Sequence, residues 1–215
     1  MSPEHNTLRL KQDETAIAGY GSLLSITSIT KMLGREYQGP FIKCHVTGWR
    51  RSWNVAMPNK AFYYVEAETR IYPKNILYLN VRPDPKSWVN CALFVVKQDE
   101  LETIHDREWI YDPVNVIMNL IGARVEGGQV VLYSGRNEHL IQPAKSPRDV
   151  AIRASYLRIL ENALHNVNSG FRIDFEDTTD PVPKHLVVED LLDPNRPNPW
   201  ASAGRSYRPD VDLGQ

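Results

Sequence analysis

The chain has 215 residues, 25 Lys plus Arg against 26 Asp plus Glu, a formal net charge of −1, and 42% hydrophobic residues. One domain's length, balanced charge and a mean hydropathy of −0.41 exclude wholesale disorder and a polybasic binder of nucleic acid or membrane surfaces. They also exclude a protein built on membrane spans of ~20 apolar residues.

The first fourteen residues contain no apolar run of the signal-peptide type, so a cytoplasmic protein is expected. Thr15–Tyr20 reads as the first strand and runs into Gly21-Ser22. Leu23–Leu33 reads as a loop carrying a short helix that stops at Gly34. Strands are expected at Ile42–Trp49, Phe62–Val65, Ile76–Val81 and Val89–Val96, with turns at Pro58-Asn59, Pro73-Lys74-Asn75 and Pro83-Asp84-Pro85. Cys44 and Cys91 fall inside two of these apolar runs. Two cysteines are too few for a disulfide framework, so both are expected as buried, reduced thiols.

Leu101, Ile104 and His105 at helical spacing predict a short helix over Glu100–Glu108. Val114–Met118, Ala123–Val125 and Gln129–Tyr133 predict further strands, the last two joined as a hairpin across Gly127-Gly128. The strongest helical pattern runs from about Pro147 to Val167, with Ser146 as N-cap and Gly170 as stop. Its apolar stripe comprises Ile152, Tyr156, Ile159, Leu160, Ala163, Leu164 and Val167. Leu186–Leu192 is expected to add a last strand or turn of helix, and an extended tail follows from Pro194. Strands with two or three helices give an α+β class on a mixed or antiparallel sheet, as one domain over 1–180 with a proline-rich extension over 181–215.

Three segments are able to carry chemistry. Gly19-Tyr20-Gly21-Ser22-Leu23-Leu24 lacks the third small residue of a dinucleotide fingerprint, so no nicotinamide or flavin cofactor is expected. Gly21 there allows close approach of a ligand, and successive N–H groups can form a nest for a carboxylate or oxyanion. In Gly48-Trp49-Arg50-Arg51 the two arginines point to opposite faces of a strand, so only one lines a pocket. Arg50 is the one taken for the site. In His105-Asp106-Arg107-Glu108-Trp109, Glu108 ends a helix beside apolar residues, where burial raises a carboxylate's pKa and suits it to general-base work. Each segment also has an ordinary reading: a strand-to-loop turn, a charged strand end between core tryptophans, and a solvated helix end with an Arg–Glu pair.

Cys44 and His45, adjacent on a strand, face apart and cannot form a dyad. His105 and Glu108 share a helix face, but no further ligands complete a metal set, so no metal is expected.

In this order the segments resemble the gamma-glutamylcyclotransferase family, on Tyr20-Gly21-Ser22-Leu23, Gly48-Trp49-Arg50-Arg51, Leu101-x-x-Ile104-x-x-Arg107-Glu108-x-x-Tyr111 and Ser155-Tyr156-Leu157. The resemblance covers roughly residues 15–170. The Tyr-Gly-Ser-Leu form and the Arg-Arg pair are similar to the glutathione-specific branch, although Leu24-Ser25-Ile26 stands where that branch often has an aromatic residue. It implies the fold of that family, a small barrel or mixed sheet. It further implies a cofactor-independent enzyme releasing 5-oxoproline from a γ-glutamyl peptide or amine by attack of the α-amine on its own γ-carbonyl. Glu108 is implied as the general acid/base. Tyr20, Gly21, Ser22, Leu23, Arg50, Tyr111 and Tyr156 are implied as substrate-binding. The expected partner is a small γ-glutamyl molecule, not nucleic acid or membrane, and a homodimer is left open. The alternative is a non-catalytic γ-glutamyl- or carboxylate-binding module of the same fold.

Overall fold

A computed structural model describes residues 6–142, 145–165 and 167–196. In chain order its elements are β1 (Asn6–Arg9), β2 (Glu14–Gly19), α1 (Ile26–Leu33), β3 (Phe41–Pro58), β4 (Phe62–Glu66), β5 (Thr69–Ile71) and β6 (Asn75–Lys97). Then follow α2 (Gln98–Arg107), β7 (Tyr111–Asn115), β8 (Leu120–Ile121), β9 (Ala123–Glu126), β10 (Val130–Gly135) and β11 (Val150–Arg153). The last are α3 (Ala154–His165), α4 (Ser169–Asp177), β12 (Val187–Val188) and β13 (Leu191–Leu192). This is the α+β class read from the sequence.

The main sheet runs β12-β11-β6-β2-β10-β7, with β3 also hydrogen-bonded along β6. It is mixed: β2 and β3 lie antiparallel to β6, while β10 lies parallel to β2 and β11 parallel to β6. Both faces are covered, and alternation along the central strands divides the core. Ala16, Ala18, Leu93, Val130 and Leu132 pack toward Leu160, Leu164, Phe171 and Phe175 of α3 and α4. Ile17, Phe94, Val96 and Val131 pack toward Ile29 and Met32 of α1 and Leu101 and Ile104 of α2. Among the described residues no helix is long and apolar enough to cross a membrane.

Four expectations need correction. Pro83-Asp84-Pro85 does not end a strand, because β6 continues through it. Opposite this segment β3 shifts register between Thr47 and Trp49, around Gly48 with φ of 86°, and the irregularity absorbs residues that cannot donate to a ladder. Gly127-Gly128 joins no hairpin: β9 pairs in parallel with β1, and β10 with β2, so the two glycines carry the chain from one sheet to another. The helix expected from Pro147 starts at Ala154. Val150–Arg153, buried throughout, instead extends the sheet parallel to β6, and Ser146 Oγ accepts only a turn bond from the Arg148 N–H at 3.2 Å. Gly170 lies inside α4, a helix the sequence reading lacked; Asn168 caps it, its Oδ1 accepting from the Phe171 N–H at 2.8 Å.

Cys44 and Cys91 are buried, free, and direct neighbours across β3 and β6, with 3.4 Å between sulfurs. Within the segment after residue 180, Leu186 is 1% exposed, β12 joins β11, and β13 joins β4. Positions 197–215 of the expected tail lie outside the described residues.

Candidate active site

The end of β2 turns sharply because Gly19 permits it. A Cβ there would sit 2.6 Å from the Leu23 carbonyl oxygen, a backbone atom with little freedom to move. Close backbone packing therefore belongs to Gly19, whereas a Cβ on Gly21 would make only ordinary contacts, with the Tyr156 hydroxyl at 3.5 Å and a Leu79 methyl at 3.8 Å. Ser22–Leu24 forms a single 3-10 turn, closed by the Leu24 N–H donating to the Gly21 carbonyl at 2.9 Å. The opening N–H groups of such a turn have no partner inside it.

Glu108 terminates α2, its N–H donating to the Ile104 carbonyl and its own carbonyl accepting from the Tyr111 N–H, both at 2.8 Å. Its side chain is 14% exposed and is hydrogen-bonded to the Arg107 guanidinium, so the Arg–Glu pair of the ordinary reading is present.

Three tyrosines from distant parts of the chain lie within the electrostatic reach of this carboxylate. Tyr20, Tyr111 and Tyr156 are each 7–8% exposed. The Tyr20 hydroxyl donates to the Tyr133 carbonyl at 2.7 Å, and the Tyr111 hydroxyl to the Leu79 carbonyl at 3.0 Å. The Tyr156 hydroxyl is hydrogen-bonded to the backbone of the same Leu79. One stretch of β6 thus pins two of the three phenols, and Tyr20 is a third held by its sheet neighbours. All three resist ionisation. Burial is the main cause in each, and the negative charge of Glu108 acts in the same direction. All three phenols thus lie within reach of the Glu108 charge.

Arg50 is not among them. Its Nε donates to Asp180 Oδ1 at 2.7 Å, beyond the end of α4. Arg51 takes the inward position and is fully buried, with Nε donating to the Tyr20 carbonyl at 2.9 Å. The parity was legible: Arg51 alternates with Trp49 and Trp53, Arg50 with Gly48 and Ser52. Sequence reasoning also missed Tyr133, which follows Val131 on the face of β10 that packs toward α1 and α2. Its hydroxyl is hydrogen-bonded to His105 Nδ1 at 2.9 Å, and burial followed by the Glu108 charge raises its pKa. A cavity of about 510 Å³ lies against α3 and α4, lined by Trp53, Leu157, Leu164, Phe175 and Val182 among others. None of the residues expected in the site lines it.

No protein-family model matches the chain, and no curated protein matches it in sequence. Solved structures do. A gamma-glutamyl cyclotransferase is similar with a TM-score of 0.52 and 10% identity, over 79% of this chain and 90% of that one. YkqA from Bacillus subtilis gives a TM-score of 0.54 and 12% identity over 80% of this chain, which spans 56% of YkqA. An uncharacterized protein from Homo sapiens gives 0.51 and 11%, over 80% of this chain and 90% of the human one. Identities this low speak to architecture, and the chain has the fold of gamma-glutamyl cyclotransferase structures.

Proposed function

We propose that the protein cyclises a γ-glutamyl group, releasing 5-oxoproline and an amine. The observation that carries this reading is the half-buried Glu108 carboxylate set among three neutral, hydrogen-bonded tyrosines beside the Gly21–Leu24 turn. The reaction is intramolecular: the substrate's α-amine nitrogen bonds to its γ-carbonyl carbon, and the bond from that carbon to the leaving nitrogen breaks. Glu108 takes a proton from the α-ammonium and returns it to the departing amine, and the second proton shed by the attacking nitrogen passes to that amine or to solvent, so no water or cofactor is consumed. Backbone N–H groups around Gly21, Ser22 and Leu23 hold the α-carboxylate or the oxygen that gains charge. Tyr20, Tyr111 and Tyr156, kept protonated by burial, line the folded substrate without adding charge; Tyr20 and Tyr111, whose O–H protons are held by backbone carbonyls, offer it acceptor oxygens. Arg107 holds the carboxylate of Glu108 in place between turnovers.

The reading is tested by incubating the protein with glutathione, γ-glutamyl dipeptides and γ-glutamyl amines in heavy-oxygen water. Release of unlabelled 5-oxoproline and free amine in equal amounts is expected. Labelled glutamate would mean hydrolysis instead, and no release from a folded protein would leave a binding module.

A further inference from the structure

Among the described residues Arg51 is the largest fully buried side chain, at 0% exposure, and its surroundings are unusual for a cation. Its guanidinium donates to the Tyr20 carbonyl at 2.9 Å, to Thr178 Oγ1 at 2.9 Å, to Asn90 Oδ1 at 2.8 Å, and to the Asn90 carbonyl. The Phe175 ring lies 4.2 Å from its central carbon. Every one of these acceptors is neutral. Among the described residues no carboxylate forms an ion pair with Arg51, whereas Arg50 next to it has Asp180. Burial without a counter-ion draws its pKa down to about 9, so it is still a cation at neutral pH. A buried charge without an opposite partner is costly, and buried charges are as a rule paired. Joining a strand to a helix end needs only hydrogen bonds, which a neutral amide would also supply.

The position of Arg51 shows where a compensating charge belongs. Its Nε grips the carbonyl of the Tyr20–Gly21 peptide, and in a trans peptide the N–H points opposite to the carbonyl. The Gly21 N–H therefore points away from the guanidinium. A charged donor on one end of a peptide group polarises it and makes the N–H at the other end a stronger donor. Gly21 also stands beside the Tyr156 hydroxyl, one of the phenols within reach of the Glu108 charge. Tyr20 feels both charges, Glu108 raising and Arg51 lowering its pKa. Arg107, the other cation nearby, is already engaged by Glu108.

We propose that Arg51 is a positioning residue that primes the Gly21 amide for an anion, and so restricts the site to γ-glutamyl compounds with a free α-carboxylate. The substrate class named here rests on the cyclisation reading, while the preference for an anion at Gly21 does not.

The test is calorimetry on the full chain with 5-oxoproline and with its neutral carboxamide. Wild type should bind the acid about ten-fold or more tightly than the amide. Arg51→Met should lose that preference, and Arg51→Lys, which keeps the charge, should retain most of it. In turnover, Arg51→Met should raise KM about ten-fold or more while changing kcat by less than about three-fold, the mark of lost ground-state binding rather than lost chemistry. If Arg51→Met does not fold, Thr178→Asp replaces it, setting a carboxylate against the guanidinium while leaving Arg51 in place; the same loss of preference is expected. Equal binding of acid and amide by wild type overturns the proposal, as does a folded Arg51→Met or Thr178→Asp that keeps the preference. An Arg51-dependent preference without 5-oxoproline release would sink the cyclisation reading and leave the anion site standing. Release without preference would do the reverse.

Discussion

At the scale of single residues, the site is a carboxylate and several phenols in different states of protonation. Tyr20, Tyr111, Tyr133 and Tyr156 all have pKa values raised first by burial. A tyrosine whose folded pKa lies above its unfolded value contributes stability that is complete below about pH 10 and is lost as pH rises through the folded value. An alkaline absorbance titration should therefore show only part of the 10 tyrosines ionising reversibly, with the rest ionising together with unfolding. Reversible ionisation of all of them near the free value would contradict the buried cluster. Gly19→Ala makes a second test at this scale. Its Cβ would press on the Leu23 carbonyl, so a loss of about 2 kcal/mol or more is expected on chemical denaturation, with a displaced turn and lower turnover. A variant as stable as wild type would show that the turn can shift without cost.

At the scale of elements, the position of Tyr156 depends on the start of α3. The Ser155 N–H and hydroxyl both donate to the Asp190 carboxylate, at 2.9 and 2.6 Å, so the cap comes from 35 residues further along the chain. Asp190→Ala should cost about 1 kcal/mol, lowering Tm by roughly 2–4 °C. An unchanged Tm would mean that α3 is held by its buried face alone. This remote cap explains one failure of sequence reasoning. Ser146 and Pro147 mimic a helix start, but Val150 and Ala151 find a parallel partner in β6 and Ile152 one in β12, and the helix waits until Ala154. The Gly127-Gly128 hairpin failed for a related reason, since β1 and β2 capture the two strands that the glycines separate. Where the signal was local, the reading held: β2 into Gly21-Ser22, α1 closing at Gly34 with φ of 67°, and α2 ending at Glu108. Tyr20, Tyr111 and Tyr156 were legible only through the order of short motifs, because nothing local says that three phenols from different elements meet. The choice between Arg50 and Arg51 turned on strand parity, which neighbouring tryptophans already marked.

At the scale of the molecule, β6 is the spine. Over 23 residues it pairs with β3 along one edge and with β11 and then β2 along the other. Leu79, near its start, holds Tyr111 and Tyr156. The segment after residue 180 reinforces one end, where Leu186 packs with Ala56, Leu77, Val150 and Ile152. Leu186→Ala should cost about 2–5 kcal/mol on urea unfolding, as for other buried leucines. A change within error would mean that this segment adds nothing to the core. This frame holds one carboxylate, Glu108, and its proposed role is tested by 5-oxoproline release from γ-glutamyl substrates by wild type and Glu108→Gln side by side. Release by wild type and a loss of at least about 100-fold in Glu108→Gln are expected, with unchanged circular dichroism and Tm. A folded Glu108→Gln that releases 5-oxoproline near the wild-type rate would contradict that role.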